Sequence, residues 1–574
     1  MPDASNTQNQ GRPGQSPPPE LPPPIPETPE TALPNQQTAL DFLSSEPGAN
    51  GPADLKPAIT IPGGSITITK SAEDLFQAIA PKKKLFYRGG VVVELVNEGD
   101  GYTVQVLDPV AAQSRFENFV RFFKNTKVHE RFMPLPTTIS ERIAKQYLKS
   151  EACRAHLPKL NGILHCPLLV EHEGQLHRVE QGYNEVTGFF VVSAQRPETV
   201  DLEGAVELLS GLIDDFDFVT PGDRSRAIAS LVTPALKLGG LIQGPVPVDV
   251  AEANASQSGK TYRQKLVAAL YNHKPAVVTK RAGGVGSMEE TFSDHLLKGR
   301  AFIQFDNVRG KFDSQYVESF VTAESSFPAR IPYHGTVIID PSKFILFISS
   351  NGFEATPDLA NRSSIIRIRK RENHQFRTLD GLDVLQLTYL WQSILMGAVF
   401  AVVQEWHRQG KPKTSETRHD FREWCQSLDW IVQNIFHEAP LMSDHEEAKL
   451  RATNSALSFL RLVAIQLNEK QRLNQIVTAS DMAEICLEED IAIPGLSAEN
   501  QTVEQGPQQI GKIMGQLFKE SNEVVIEEFR LVRAQEQSRT EAGNPQTLNR
   551  YTFSMGTPGQ TPTPPPGPTS PPPS

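Results

Sequence analysis

One stretch constrains this chain more than any other: VPVDVAEANASQSGKTYRQKLVAALY, residues 246–271, reads as an apolar strand, a short loop and a helix in immediate succession. That layout suits a phosphate cradle, in which backbone N–H groups point inward and the helix N-terminus favours an anion. Gly259 lets the backbone approach, Lys260 supplies an ammonium for the terminal phosphates, and Thr261 supplies a hydroxyl for a divalent cation. A nucleotide held this way lies against Asn254, Ser258, Gly259, Lys260 and Thr261. The usual phosphate-loop pattern, G-x-x-x-x-G-K-[ST], has glycine where this chain has Asn254. Asparagine tolerates positive φ better than other non-glycine residues, so the change mainly alters how the loop leaves the strand.

The downstream order carries the same chemistry. The strand-like run AFIQFD ends in Asp306, placed to hold Mg²⁺ through water together with Thr261. FILFISSN ends in Asn351, a polar group suited to sensing the γ-phosphate or the attacking water. PDLANRSSIIRIR puts Arg362 just before a further strand, where it could reach a neighbouring subunit's γ-phosphate and neutralise charge in the transition state. Taken singly, each has an ordinary reading: a strand-end turn acid, a turn residue before Gly352, a helix-end charge favoured by the dipole. In this order, at strand ends, they describe an ATPase core over 241–371. Strands alternate there with helices as in a parallel α/β sheet.

Lys260-Thr261, Asp306-Asn307, SSNG and DLANRSSIIRI together resemble the AAA+ ATPases of phages, plasmids and integrative elements, relatives of the superfamily 3 helicases. The resemblance extends over about 80–554, through LFYRGGVVVELV and QGYNEVTGFFVV before the core and FAVVQEWHRQGKP after it. It implies a ring-forming homo-oligomer, a hexamer by analogy, that uses Mg-ATP to move or unwind DNA. Lys260, Asp306, Asn307, Asn351 and Arg362 would be its catalytic set. One departure bears on turnover: Asn307 stands where many relatives carry the glutamate that polarises water. Asparagine orients water but takes no proton, and general-base help is worth roughly 10²–10⁴-fold. A base from elsewhere, Glu318 or Glu324, or an ATP-switched DNA-binding or loader protein with slow hydrolysis, are the readings that follow.

The remaining sequence suggests how the core is framed. Residues 1–58 and 555–574 are proline-rich and polar and read as disordered tails. Residues 59–240 read as an α+β domain, with a hairpin at Gly89-Gly90, helical spacing over FENFVRFFKNT (116–126), and Lys82, Lys83, Lys84, Arg88, Arg121, Lys124 and Lys127 on a charged face or a DNA-facing patch. Residues 372–477 read as helical, with Leu390, Ile394, Val399, Val402 and Val403 facing a core and the tryptophans Trp391, Trp406, Trp424 and Trp430 inside. Residues 478–554 read as a winged-helix-like domain, two helices and two strand-like runs, 522–535 and 548–554, in which Lys512, Lys519, Arg530 and Arg533 could meet phosphate. The segment 325–344 reads as a hairpin carrying Arg330 and His334, placed to track DNA, and the glycine-rich 281–290 as a flexible loop near the nucleotide.

A net charge of −11 argues against a chain coated in basic surface, but not against a local basic channel. Cys153, Cys166, Cys425 and Cys486 form no C-x-x-C pair, which suits a reducing compartment. With no secretory pattern at the start and no long apolar run, the expected setting is cytoplasmic, away from membrane. No H-E-x-x-H and no G-x-S-x-G occurs, which disfavours a zinc protease or a serine-hydrolase site.

Overall fold

The computed structural model describes residues 56–556 except for 98, 100, 129–130, 193–194, 254–257, 280–285, 309, 332–334, 372–375, 497–500, 503, 520 and 540–544. The proline-rich segments 1–55 and 557–574, Asn254, His334 and the glycines of 281–285 therefore lie outside the described residues.

The first elements are β1 (Ala58–Thr60), α1 (Ile68–Ile79), β2 (Leu85–Arg88), β3 (Val91–Asn97), β4 (Tyr102–Val106), α2 (Pro109–Phe119), β5 (Arg121–Val128), β6 (Arg131–Thr137), α3 (Glu141–Leu148) and α4 (Glu151–His156). Their apolar faces share one core around Phe76, Phe116 and Tyr147. The β2–β3 turn falls on Gly89-Gly90, with φ of 53° and 103°, the backbone that a two-residue hairpin demands. The helical spacing read over 116–126 is only half realised. Helix α2, capped by Asp108, stops at Phe119, and the chain continues as β5, where Phe122 is buried opposite Ile59 of β1. Pairing with a distant strand overrides local periodicity there.

Short strands follow, β7 (Gly162–Leu164), β8 (Leu168–His172), β9 (Gln175–Val179), β10 (Gly182–Tyr183) and β11 (Phe189–Val191), then α5 (Leu202–Gly211), β12 (Asp217–Phe218) and α6 (Pro221–Leu238). The central elements are β13 (Val248–Ala253), α7 (Lys260–Leu270), β14 (Ala276–Val278), α8 (Met288–Leu297), β15 (Phe302–Val308), β16 (Lys311–Phe312), α9 (Gln315–Thr322), β17 (Phe327–Ile331), β18 (Gly335–Ile339), β19 (Ile345–Asn351), β20 (Glu354–Ala355), α10 (Pro357–Asn361) and β21 (Ser363–Arg369).

The fold is mixed α/β around a six-stranded sheet of order β12-β21-β13-β19-β15-β14. β12 is antiparallel to β21, and the other pairs are parallel. Strands buried on both faces read as near-continuous apolar runs, which is why the sequence signals them well. Arg88 belongs to neither a charged face nor a DNA-facing patch. It is buried and donates to the carbonyls of Leu296 and Leu297 at 2.7 and 2.6 Å, closing the C-terminal end of α8, and burial pushes its pKa down to about 10.

Beyond the sheet lie the small hairpin β22 (Thr378–Leu379) and β23 (Leu382–Asp383) and the helices α11 (Val384–Leu390), α12 (Gln392–Arg408), α13 (Arg422–Asn434), α14 (His445–Ala452) and α15 (Ser455–Glu469). Val399, Val402 and Val403 are buried as expected, but Leu390 is 60% exposed, because the chain bends by 82° between α11 and α12. Among the described residues no single helix is long and apolar enough to cross a membrane. The four cysteines are free and buried.

The last elements are β24 (Ile476–Val477), α16 (Ala479–Glu488), α17 (Gln505–Leu517), β25 (Glu523–Ile526), β26 (Phe529–Arg539) and β27 (Pro545–Met555), with the strands in one sheet of order β24-β27-β26-β25. The run 522–535, read as one strand, is two, folded back at Glu527-Glu528 with Glu527 at φ 51°.

Candidate nucleotide site

Helix α7 is fixed to the sheet by a buried polar spine. Arg263 pairs with Asp249 of β13 and donates to Ser230 of α6 at 2.9 Å. Gln264 donates to the carbonyls of Asp249 and Ile348 at 2.9 Å each, and its own carbonyl accepts from Gln304 of β15 at 2.8 Å. Three strands thus hold one helix in register, so the loop between β13 and α7 starts and ends on rigid supports. Gly259 begins the helix with φ 88°, and a Cβ there would stand 2.5 Å from the Phe376 ring and 2.9 Å from that of Phe216. Only glycine meets both demands.

Lys260, the first residue of α7, is 8% exposed, and burial lowers its pKa while the nearby Asp306 opposes the shift. Thr261 donates to Asp306 Oδ1 at 2.9 Å across the C-terminal ends of the strands. Ser349 of β19 joins them: it donates to the same carboxylate oxygen at 2.7 Å, lies 3.3 Å from Thr261 Oγ1 and accepts from the Asn307 N–H at 2.8 Å. Sequence reading missed Ser349. Its signal is the hydroxyl pair Ser349-Ser350, inside the SSNG motif, at the end of the apolar run FILFI.

Asn307 sits in a bulge of β15 with φ 51°, a left-handed backbone that asparagine adopts more readily than glutamate. Its side chain is exposed. Glu318, considered as a base, instead accepts from Thr356 at 2.7 Å, and Glu324 is exposed. Among the described residues, Asn351 Oδ1 and Ser258 Oγ are buried without a hydrogen-bond partner. Such orphans are rare in folded proteins and suit a site that takes a polar ligand.

Arg362 is not with this group. It lies beside Val248, at the opposite end of β13, roughly 17 Å along the strand from the loop by strand rise, and is paired with Asp358 of its own short helix. Arg330 of β17 is exposed on the β17–β18 hairpin, which packs through Ile338 onto the Gly89 carbonyl at 3.0 Å. Arg530 pairs with Glu523 and Arg533 with Asn522, so both are engaged within their own module.

The opposite face of the sheet carries charges that sequence reading did not single out. Glu252, the last residue but one of β13, is 1% exposed and pairs with Arg451 of α14 and with Arg461 of α15 at 3.7 Å. Glu527, from the β25–β26 turn, reaches Arg451 at 2.8 Å, Arg461 at 2.5 Å and Arg367 of β21 at 3.2 Å. The three guanidinium groups hold the Glu527 carboxyl well below its ordinary range against the cost of burial. The cluster ties β13 to the C-terminal sheet.

The site's donors fit a nucleotide with a divalent cation. Among the described residues no three His, Cys, Asp or Glu side chains gather as a metal site. Mg²⁺ needs no such cage, being held through one or two carboxylates, water and phosphate oxygens. Thr261 and Asp306 would hold it, and Lys260 and Ser258 would meet phosphate.

No family model matches the chain, and no curated protein matches it. Two similar solved structures are the apo A form of the NrS-1 C-terminal region and the active helicase Cch of SCCmec type IV. The first is 11% identical with a TM-score of 0.31, over 84% of this chain and 99% of that one. The second is 12% identical with a TM-score of 0.27, over 77% and 81%. Likenesses this distant leave the reading of the site to its own geometry.

Proposed function

We propose that the chain is a Mg-ATP-dependent P-loop ATPase of AAA+ type that works on DNA as a replicative helicase or translocase, assembled as a ring. The observation that carries this reading is the convergence of Thr261, Asp306 and Ser349 within 2.7–3.3 Å at the ends of adjacent parallel strands, beside a buried Lys260. The cation, when bound, neutralises charge that builds on the phosphates. Lys260 supplies the second positive group there. Thr261 and Asp306 orient the cation side, with Ser349 fixing the carboxylate by a charge-assisted hydrogen bond. Asn351, whose amide oxygen has no partner among the described residues, orients the attacking water. Arg362, just before β21 and at the far end of β13 from its own loop, is assigned to the site of a neighbouring copy in the ring.

A second reading has one observation behind it. Asn307 occupies a left-handed bulge position with its side chain in solvent, so no base stands beside Asp306 on β15. This favours an ATP-switched assembly with slow hydrolysis. A forked-duplex strand-displacement assay, run with light scattering on the same protein, separates the two. A motor displaces the strand with ATP. A switch grows in mass with ATP and leaves the fork intact. Neither response would contradict both readings.

A further inference from the structure

The β5–β6 hairpin is built unlike the rest of its domain. Phe132, Met133 and Leu135 are 73%, 50% and 43% exposed, three apolar side chains in four residues with no core to enter. Directly paired residues share a face of a hairpin. Phe132 therefore stands beside Lys127 on one face, and Leu135 beside Lys124 on the other, with Met133 on the face of Leu135. The sequence over 121–137 carries Arg121, Lys124, Lys127 and Arg131 against the single acid Glu130, in a chain of net charge −11. The strand β6 forms the edge of its sheet and carries Pro134 and Pro136, which block pairing with another strand and so disfavour a peptide partner. Helix α3, four residues further on, continues the charge. Arg142, Lys145 and Lys149 line an open cleft of about 580 Å³ with Ile68, Thr69 and Gln146, bordered also by Glu151.

An exposed ring and a thioether flanked across the hairpin by lysines answer a partner that offers flat apolar faces and a repeating anion together. A single nucleic-acid strand does so, whereas a duplex hides its base faces. We propose that the edge of the β5–β6 hairpin holds single-stranded DNA, with a base stacked on Phe132 beside Lys127 on one face and the phosphate backbone, following the edge, also met by Lys124 on the other face. The proposal rests on the DNA-directed reading above and places the strand on the N-terminal domain.

The test is fluorescence anisotropy of labelled dT30 against the full chain without nucleotide, over a salt series, with rU30, duplex and phosphatidylserine vesicles as competitors. Lys124→Glu/Lys127→Glu weakens dT30 binding tenfold or more and flattens the log K–log salt slope by about 1.4, the loss of two phosphate contacts on a single strand. Phe132→Ala weakens binding about tenfold with the slope unchanged. Both variants keep the wild-type melting temperature and DNA-free ATP turnover. Wild-type affinity in either variant, or preference of the wild-type protein for rU30, duplex or vesicles over dT30, overturns the proposal. If the chain does not bind ATP while these dT30 differences hold, the ATPase reading falls and the surface stands.

Discussion

Ser349 of β19 holds two groups of the neighbouring strand β15. Its hydroxyl donates to Asp306 and accepts from the Asn307 N–H, so it sets both the carboxylate and the bulge that follows. Hydrogen bonds to charged groups are worth about 1.5–3 kcal/mol. Ser349→Ala is therefore expected to lower ATP turnover roughly 10- to 100-fold while nucleotide affinity, which depends on Lys260, changes less than about threefold. Steady-state kinetics with a parallel binding titration check this, and an unchanged kcat would remove Ser349 from the site. Residue types with a motif, such as Gly259, Lys260 and Thr261, were legible in the sequence. Serine at a strand end has no such signature, and its partners Asp306 and Thr261 arrive from 43 and 88 positions away in the chain.

At the scale of elements, the β25–β26 turn shows how a local rule yields to a distant one. A two-residue hairpin with positive φ at its first position favours glycine, yet Glu527 stands there. The strained backbone is held by three arginines from β21, α14 and α15. Breaking a buried pair by removing one partner costs about 3–5 kcal/mol, because the opposite charge is left uncompensated. Glu527→Gln is expected to lose that much stability in urea unfolding. Glu523→Gln, which removes an exposed partner of Arg530, is expected to leave the midpoint where it was. Equal effects would mean that the buried cluster is not what docks the C-terminal sheet. The same competition explains the misread segments. The spacing of 116–126 fits a helix until β1 offers Phe122 a strand to pair with, and 522–535 shows no break because its turn lacks glycine. The central strands were plain in sequence since burial on both faces writes them as mostly apolar runs, FIQF and FILFI among them.

Across the whole molecule, buried imidazoles make folding sensitive to acid. His273 accepts the His165 N–H, His445 accepts the Ile365 N–H, and His419 accepts the Phe421 N–H, each through a ring nitrogen that must carry no proton. Burial pushes His165 and His419 down to about 4, with Arg300 adding to the effect at His165 and Lys449 at His419. Burial also drives His273 and His445 well below the ordinary range, with Arg226, Lys449 and Arg367 opposing charge at His445. Between pH 6.5 and 4 the unfolded chain binds protons that the folded chain refuses, so stability is full above about 6.5 and falls as pH drops. Each such histidine contributes a slope of up to about 1.4 kcal/mol per pH unit. Thermal midpoints are expected to hold from pH 8 to 7 and to fall steadily from 6.5 to 5. A flat profile over that window would show the imidazoles to be solvated.

The function itself turns on whether the cradle of β13, β15, β19 and α7 grips a nucleotide. Steady-state ATP hydrolysis with and without single-stranded DNA, for the wild-type chain beside Lys260→Ala and Asp306→Ala, tests this most directly. Turnover that needs Mg²⁺, rises with DNA and vanishes in both variants is the expected result. Turnover that persists in either variant would contradict the assignment of the site.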